Sequence, residues 1–239
     1  MKIAIIGYGK MGHEIESIAI SRGHEIALII DKNDRDKLNN ENLDKVDVAI
    51  EFTTPETAFE NVKTCLLAGK PIVCGTTGWI DKLGEAKAMA ENGNGAFFYA
   101  SNYSIGVNLF FRINRILAKY IDKVKGYSVS IEETHHTQKK DAPSGTAITL
   151  ANIISEEMSS YQGWTLLPEV EKRKIPIGAI REEDITGNHS VVYDSELDEI
   201  TLVHKAKSRK GFALGAVLAA EYCIGKKGFL TMDSFFQMD

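Results

Sequence analysis

Residues 2–12 read "KIAIIGYGKMG", an unbroken apolar run that ends in a glycine array at Gly7, Gly9 and Gly12. An apolar run without polar alternation reads as a strand buried on both faces. The array lies between that strand and the helical pattern "HEIESIAISRG". In such a strand–turn–helix unit Gly7 permits the tight turn, Gly9 the approach of a pyrophosphate, and Gly12 close helix packing. The helix N-terminus then holds the phosphates. A strand of this kind needs a parallel neighbour, a right-handed crossover and a cover on each face.

The alternation continues with "EIALIID", "VDVAIEFT", "PIVCGTTG" and "FFYAS" as further strands, and "PETAFENVKTCLLAG" as a helix begun by Pro55 and ended by Gly69. The expected fold class is α/β, a Rossmann-like doubly wound parallel sheet. Asp31, nineteen residues past Gly12, is placed to accept hydrogen bonds from adenosine ribose hydroxyls. Lys32 beside it adds a cation that attracts a 2′-phosphate, so the pair suggests tolerance of both NADH and NADPH. Two later runs, Gly75, Thr76, Thr77 and Ala100, Ser101, Asn102, Tyr103, fall at the C-terminal ends of parallel strands, where open α/β sheets bind ligands. Their small and hydroxyl-bearing residues suit a nicotinamide amide.

From about residue 104 the pattern changes. A long helix, "GVNLFFRINRILAKYI", is followed by "GYSVSIEETHH", a helix from Thr146 to Met158, and strands near "KIPIGAI", "SVVYDS" and "EITLVHKA". Strands in succession point to a smaller α+β domain with a mixed open sheet covered by helices on one face. The domain boundaries read as 1–103, completed by 213–239, and 104–212. The open face needs a cover, and another copy of the chain is the economical one, so a homo-oligomer is expected. A length of 239 residues and 44% hydrophobic content support two modest cores. The net charge of −5 argues against nucleic-acid and anionic-membrane partners and leaves small molecules. Three cysteines, Cys65, Cys74 and Cys223, without CxxC spacing, and an opening without a signal peptide, point to the reducing cytoplasm. No apolar stretch approaches the ~18 residues of a membrane-spanning helix.

The densest chemistry is in "HHTQKKDAPSGTA", residues 135–147. His135 and His136 leave a strand and point to opposite sides. A metal site would need three or four convergent ligands, and neither HExxH nor paired cysteines accompany the pair, so none is expected. Ser144 lies in no GxSxG elbow, which removes a nucleophilic triad. What remains is a cationic pocket at a helix start. Pro143 restrains Ala142, and the amides of Gly145 and Thr146 with the Thr146 hydroxyl face outward to receive carboxylates. His135 or Lys139 can deliver a proton as charge develops during hydride transfer.

"EETHHTQKKDAPSGTA" resembles the signature of the dihydrodipicolinate reductase family, and "GYGKMG", "EFTTPE", "GTTG", "SNYSIGVN" and "HKAKSRKGFALGA" resemble its blocks in the same order. The resemblance implies a cytoplasmic homotetramer of the diaminopimelate route to lysine that reduces a cyclic imine dicarboxylate with NADH or NADPH. It implies His135 as proton donor and acceptor, Lys139 as second proton donor, and His136, Gly145 and Thr146 as substrate contacts. Gly7, Tyr8, Gly9, Lys10, Met11, Gly12, Asp31, Lys32, Gly75 to Thr77 and Ala100 to Tyr103 match the cofactor-binding blocks. The link between Asp31 and Val46 departs from the pattern, being too short for the crossover helix many relatives carry. Asn188 stands where relatives commonly have Glu, and Arg209 is left without a role. Two other readings compete: a redox sensor that binds the dinucleotide without chemistry, and a sugar or inositol dehydrogenase, which would carry Glu-Lys-Pro where this chain has Gly75-Thr76-Thr77.

Overall fold

The computed structural model describes residues 1–237. The chain divides into two units, Met1–Ser104 with Lys210–Asp239, and Ile105–Arg209. The first passage runs β1 (Lys2–Ile6), α1 (Lys10–Ser21), β2 (Glu25–Ile30), α2 (Asn40–Leu43), β3 (Val48–Glu51), α3 (Pro55–Leu67), β4 (Ile72–Cys74), α4 (Ile80–Asn92) and β5 (Ala96–Tyr99). Every pairing among these strands is parallel, and β1 lies between β2 and β3. From β1 the chain moves to β2 on one side, and from β3 it moves to β4 and β5 on the other, so the direction of winding reverses between β1 and β3 and opens a crevice at their C-terminal ends.

The buried run of β1 is explained by its two faces. Ile3 and Ile5 pack into one core with Ile15 of α1, while Ala4 and Ile6 pack into another with Phe59, Val62 and Cys65 of α3. The short link after β2 holds a 3-10 turn at Arg35–Lys37 and the four-residue α2. The crossover is thus reduced to one 3-10 turn and little more than one turn of α-helix.

The second unit contains α5 (Ile105–Val124), β6 (Ser128–His135), α6 (Gly145–Glu157), β7 (Trp164–Leu166), β8 (Ile175–Arg181), β9 (Asn188–Asp194) and β10 (Glu199–Lys205). Its sheet is mixed, in the order β10-β9-β6-β8-β7, with β8 parallel to β6 and β7 and the remaining pairs antiparallel. Strand alternation separates the faces. Val129, Ile131, Val191 and Tyr193 point inward against Phe110, Ala118, Leu150 and Ile154 of α5 and α6. The chain then returns to the first unit as α7 (Lys210–Cys223), β11 (Gly228–Leu230) and α8 (Met232–Phe235). β11 adds an outer parallel strand beside β5, and α7 buries Ala213, Ala216, Val217 and Ala220 in the core that holds Ile3 and Ile5.

Candidate active site

In the first unit the glycine loop has the geometry its spacing suggests. Gly7 has φ +94°, and a Cβ there would lie 2.0 Å from the Phe52 carbonyl oxygen. At Gly12 it would lie 2.4 Å from the Gly7 carbonyl oxygen, while at Gly9 it would meet nothing within 4 Å. Gly9 therefore borders open space, and as N-cap of α1 it offers no side-chain cap. The first amides of α1 are left for an anion. Tyr8 hydrogen-bonds Glu16, which raises its phenol pKa. Lys10 is exposed, Met11 half-buried, and Asp31 and Lys32 are exposed directly after β2.

The later loops divide by exposure. Thr77 and Ser101 are exposed, and Gly75, Ala100 and Asn102 are half-buried. Thr76 is buried instead; its Oγ1 accepts a hydrogen bond from the Thr53 amide at 2.8 Å, and its carbonyl accepts one from the Trp79 indole at 2.7 Å. Tyr103 is also buried, and its hydroxyl donates to the Cys74 carbonyl at 2.8 Å. Both side chains brace the loops from below. Glu51 completes that brace without solvent exposure: it accepts from the Thr53 amide at 3.1 Å and hydrogen-bonds the Thr53 hydroxyl and the Cys74 thiol.

In the second unit the inner face of β6 turns polar toward its end. Glu133 and His135 follow Val129 and Ile131 on that face, and His189 and Arg181 join them from β9 and β8. Glu133 accepts hydrogen bonds from His135 Nδ1, from Arg181 Nη2 at 3.0 Å and from the Ser144 amide at 3.2 Å. Burial pushes the Glu133 carboxyl pKa up, but the hydrogen bonds from His135 and Arg181 outweigh it and hold the group below the usual carboxylate range. The His189 ring stands edge-on to His135 at 5.0 Å, and its Nε2 lies 3.0 Å from the Ser144 hydroxyl. Burial, aided by repulsion from His135, lowers His189 to about 4.

Ser144 is the N-cap of α6, its Oγ accepting from the Ala147 amide at 3.2 Å. The amides of Gly145 and Thr146 are left without an intrahelical acceptor. Gly145 is exposed and Thr146 half-buried. His136 follows the end of β6 and lines a polar cleft of about 410 Å³ with Glu183, Thr186 and Arg209. Lys139 is not a free ammonium: both oxygens of Asp141 hold its Nζ at 2.8 Å. Glu133, His135 and His189 each bring a donor atom within 4.8 Å of the others, a spacing a metal ion can bridge. The Arg181 cation and the Ser144 amide already occupy Glu133, so the set reads as a charge-balanced hydrogen-bond cluster.

Sequence reasoning missed Glu133, Arg181 and His189. The signal was present: with period two, Glu133 and His189 fall in register with the apolar residues of β6 and β9. Asn188, singled out in the sequence, lies on the opposite face of β9.

Models of two adjoining segments match this chain, "Dihydrodipicolinate reductase, N-terminus" over residues 1–103 and "Dihydrodipicolinate reductase, C-terminus" over residues 106–236. The chain belongs to the dihydrodipicolinate reductase family. It is 49% identical, over 97% of its length and 96% of the relative's, to the 4-hydroxy-tetrahydrodipicolinate reductase of Christiangramia forsetii. The protein of that name from Methanocaldococcus jannaschii is 37% identical over 93% of this chain and 77% of its own. Among solved structures, a dipicolinate-bound dihydrodipicolinate reductase from Paenisporosarcina sp. TG-14 superposes with a TM-score of 0.81 at 25% identity, covering 99% of both chains. Membership in the dihydrodipicolinate reductase family makes the chain an NAD(P)H-dependent oxidoreductase, and its first unit is the dinucleotide-binding one. The sugar-dehydrogenase and sensor readings are set aside.

Proposed function

We propose that this chain reduces 4-hydroxy-tetrahydrodipicolinate with NADH or NADPH, with the dinucleotide on the Gly7–Gly12 loop and the substrate carboxylates at the start of α6. The observation that carries the reading is the convergence of His135 and the α6 N-terminus on one buried carboxylate, Glu133. The dinucleotide supplies the hydride. The 4-hydroxyl leaves as water to give the conjugated ring that takes the hydride, His135 supplies the proton that neutralises charge as that ring is reduced, and the amides of Gly145 and Thr146, with His136, receive the carboxylates. Lys139 is the second proton donor. The Asp141 carboxylate must release it first, and a substrate carboxylate is a competing partner for the same ammonium.

His135→Gln is expected to slow turnover by roughly 10²- to 10⁴-fold, about 3 to 5 kcal/mol of barrier, with little change in dinucleotide binding. Following NADH and NADPH absorbance in a coupled assay with the preceding synthase measures this. Full activity in the variant would remove His135 from the chemistry.

The same reading includes a homotetramer assembled through the second unit, in the cytoplasm. Its support is the outer sheet face, where Ile180 and Val203 are 41% and 54% exposed. An unpaired face with apolar residues calls for a partner surface. Sedimentation of the wild type should give an oligomer that Val203→Glu weakens, and a monomer at micromolar concentration would contradict the assembly. The cytoplasmic placement is supported by three buried free cysteines. Among the described residues no helix is long and apolar enough to cross a membrane.

A further inference from the structure

Glu133 is fully buried on the inner face of the sheet, and its three N–H donors come from three separate segments, β6, β8 and the entry to α6. An ionised carboxylate is costly to bury unless its lone pairs are met by donors such as these. Ionised, it can only accept, so the imidazole nitrogen facing it must carry a hydrogen. That nitrogen is Nδ1. The nitrogen left to exchange a proton with a ligand is Nε2, which borders Gly187 so closely that a Cβ there would stand 2.9 Å away. Only glycine leaves that side of the ring its room.

We infer that Glu133 is a positioning residue for the reduction: it keeps a hydrogen on His135 Nδ1 in both protonation states, so Nε2 is the nitrogen that takes up a proton from solvent and, from the imidazolium so formed, passes it to the substrate. Through the Ser144 amide the same carboxylate ties that ring to the helix start that receives the substrate. Arg181 makes the arrangement durable. Its guanidinium balances the Glu133 charge and also donates to the Asp141 carbonyl at 2.6 Å, joining the carboxylate to the loop that carries Lys139. The inference rests on the reading of His135 as proton donor, and its test separates the two.

Glu133→Gln keeps the side-chain volume and removes the charge. Turnover is expected to fall on the order of 10²- to 10³-fold while the KM for the dinucleotide stays within about twofold. In a His135→Gln background the same change should cost less than about threefold, because a group that acts through another loses its effect when the other is gone. Nitrogen-15 spectra of histidine-labelled wild type should show neutral His135 protonated at Nδ1, and Glu133→Gln should mix the tautomers. Full activity in Glu133→Gln, effects that multiply in the double variant, or a wild-type ring protonated at Nε2 alone would each overturn the inference. A wild type that consumes no cofactor would defeat the functional reading instead. The ring spectra, which need neither substrate nor the variant, would still decide the tautomer.

Discussion

His189 is the clearest case of one residue whose environment determines its chemistry. It is buried beside His135, and its Nδ1 has no hydrogen-bond partner among the described residues. Burial depresses its pKa from 6.5 in the unfolded chain to about 4. Below pH 6.5 the unfolded state binds the proton more readily than the folded one. Its contribution is therefore complete above pH 6.5 and disappears as pH falls toward 4, a loss of about 3 kcal/mol. Urea titrations at pH 7 and pH 4.5 should show this fall, and His189→Asn should flatten it; equal slopes would mean that His189 does not titrate in that window. At this scale the sequence was readable where residue type carried the message. The glycines with closely approaching backbone, the His-His pair and the helix start after Pro143 could all be named from it. Glu133 and Arg181 could not, because a polar residue on a buried face is distinguished from one on an exposed face only by strand register and by partners distant in sequence; Thr76 was named as a cofactor contact, and its side chain is instead buried against the Thr53 amide.

Among the elements, α6 bears most directly on the proposed chemistry. Its start is set by Ser144, whose hydroxyl caps the Ala147 amide and also meets His189. Ser144→Ala is expected to cost about 1 kcal/mol, lower Tm by roughly 2–4 °C and raise the substrate KM. Thermal melts with steady-state kinetics test this, and an unchanged Tm would mean that the cap contributes nothing. Elements with a strong period or a marked terminus were legible: β1, α3 with Pro55 at its start, β6, and the mixed character, though not the strand order, of the second sheet. α4, β7, β11 and α8 were not read. α4 buries only Ala86 and Ala90, so its apolar stripe is too thin to see. The other three have three or four residues, too few for any period to show.

At the scale of the molecule, the first unit is built from two stretches of chain with the whole second unit between them. The return stretch is not an ornament. α7 covers Ile3, Ile5, Val48 and Val73, and Gly215 meets the Tyr103 carbonyl so closely that a Cβ would lie 1.7 Å from it. A chain ending at Arg209 would expose that apolar surface, worth roughly 25 cal/mol for each Å² uncovered. Such a truncated chain is expected to lose the cooperative melt of the first unit and its dinucleotide binding, measurable by circular dichroism and NADH fluorescence. Retention of both would show that the covering helix is dispensable. During synthesis the consequence is one of timing. The leading stretch waits, with one side of its sheet bare, until the return stretch has followed the whole second unit out of the ribosome, so the dinucleotide half is closed only after the other half has been made.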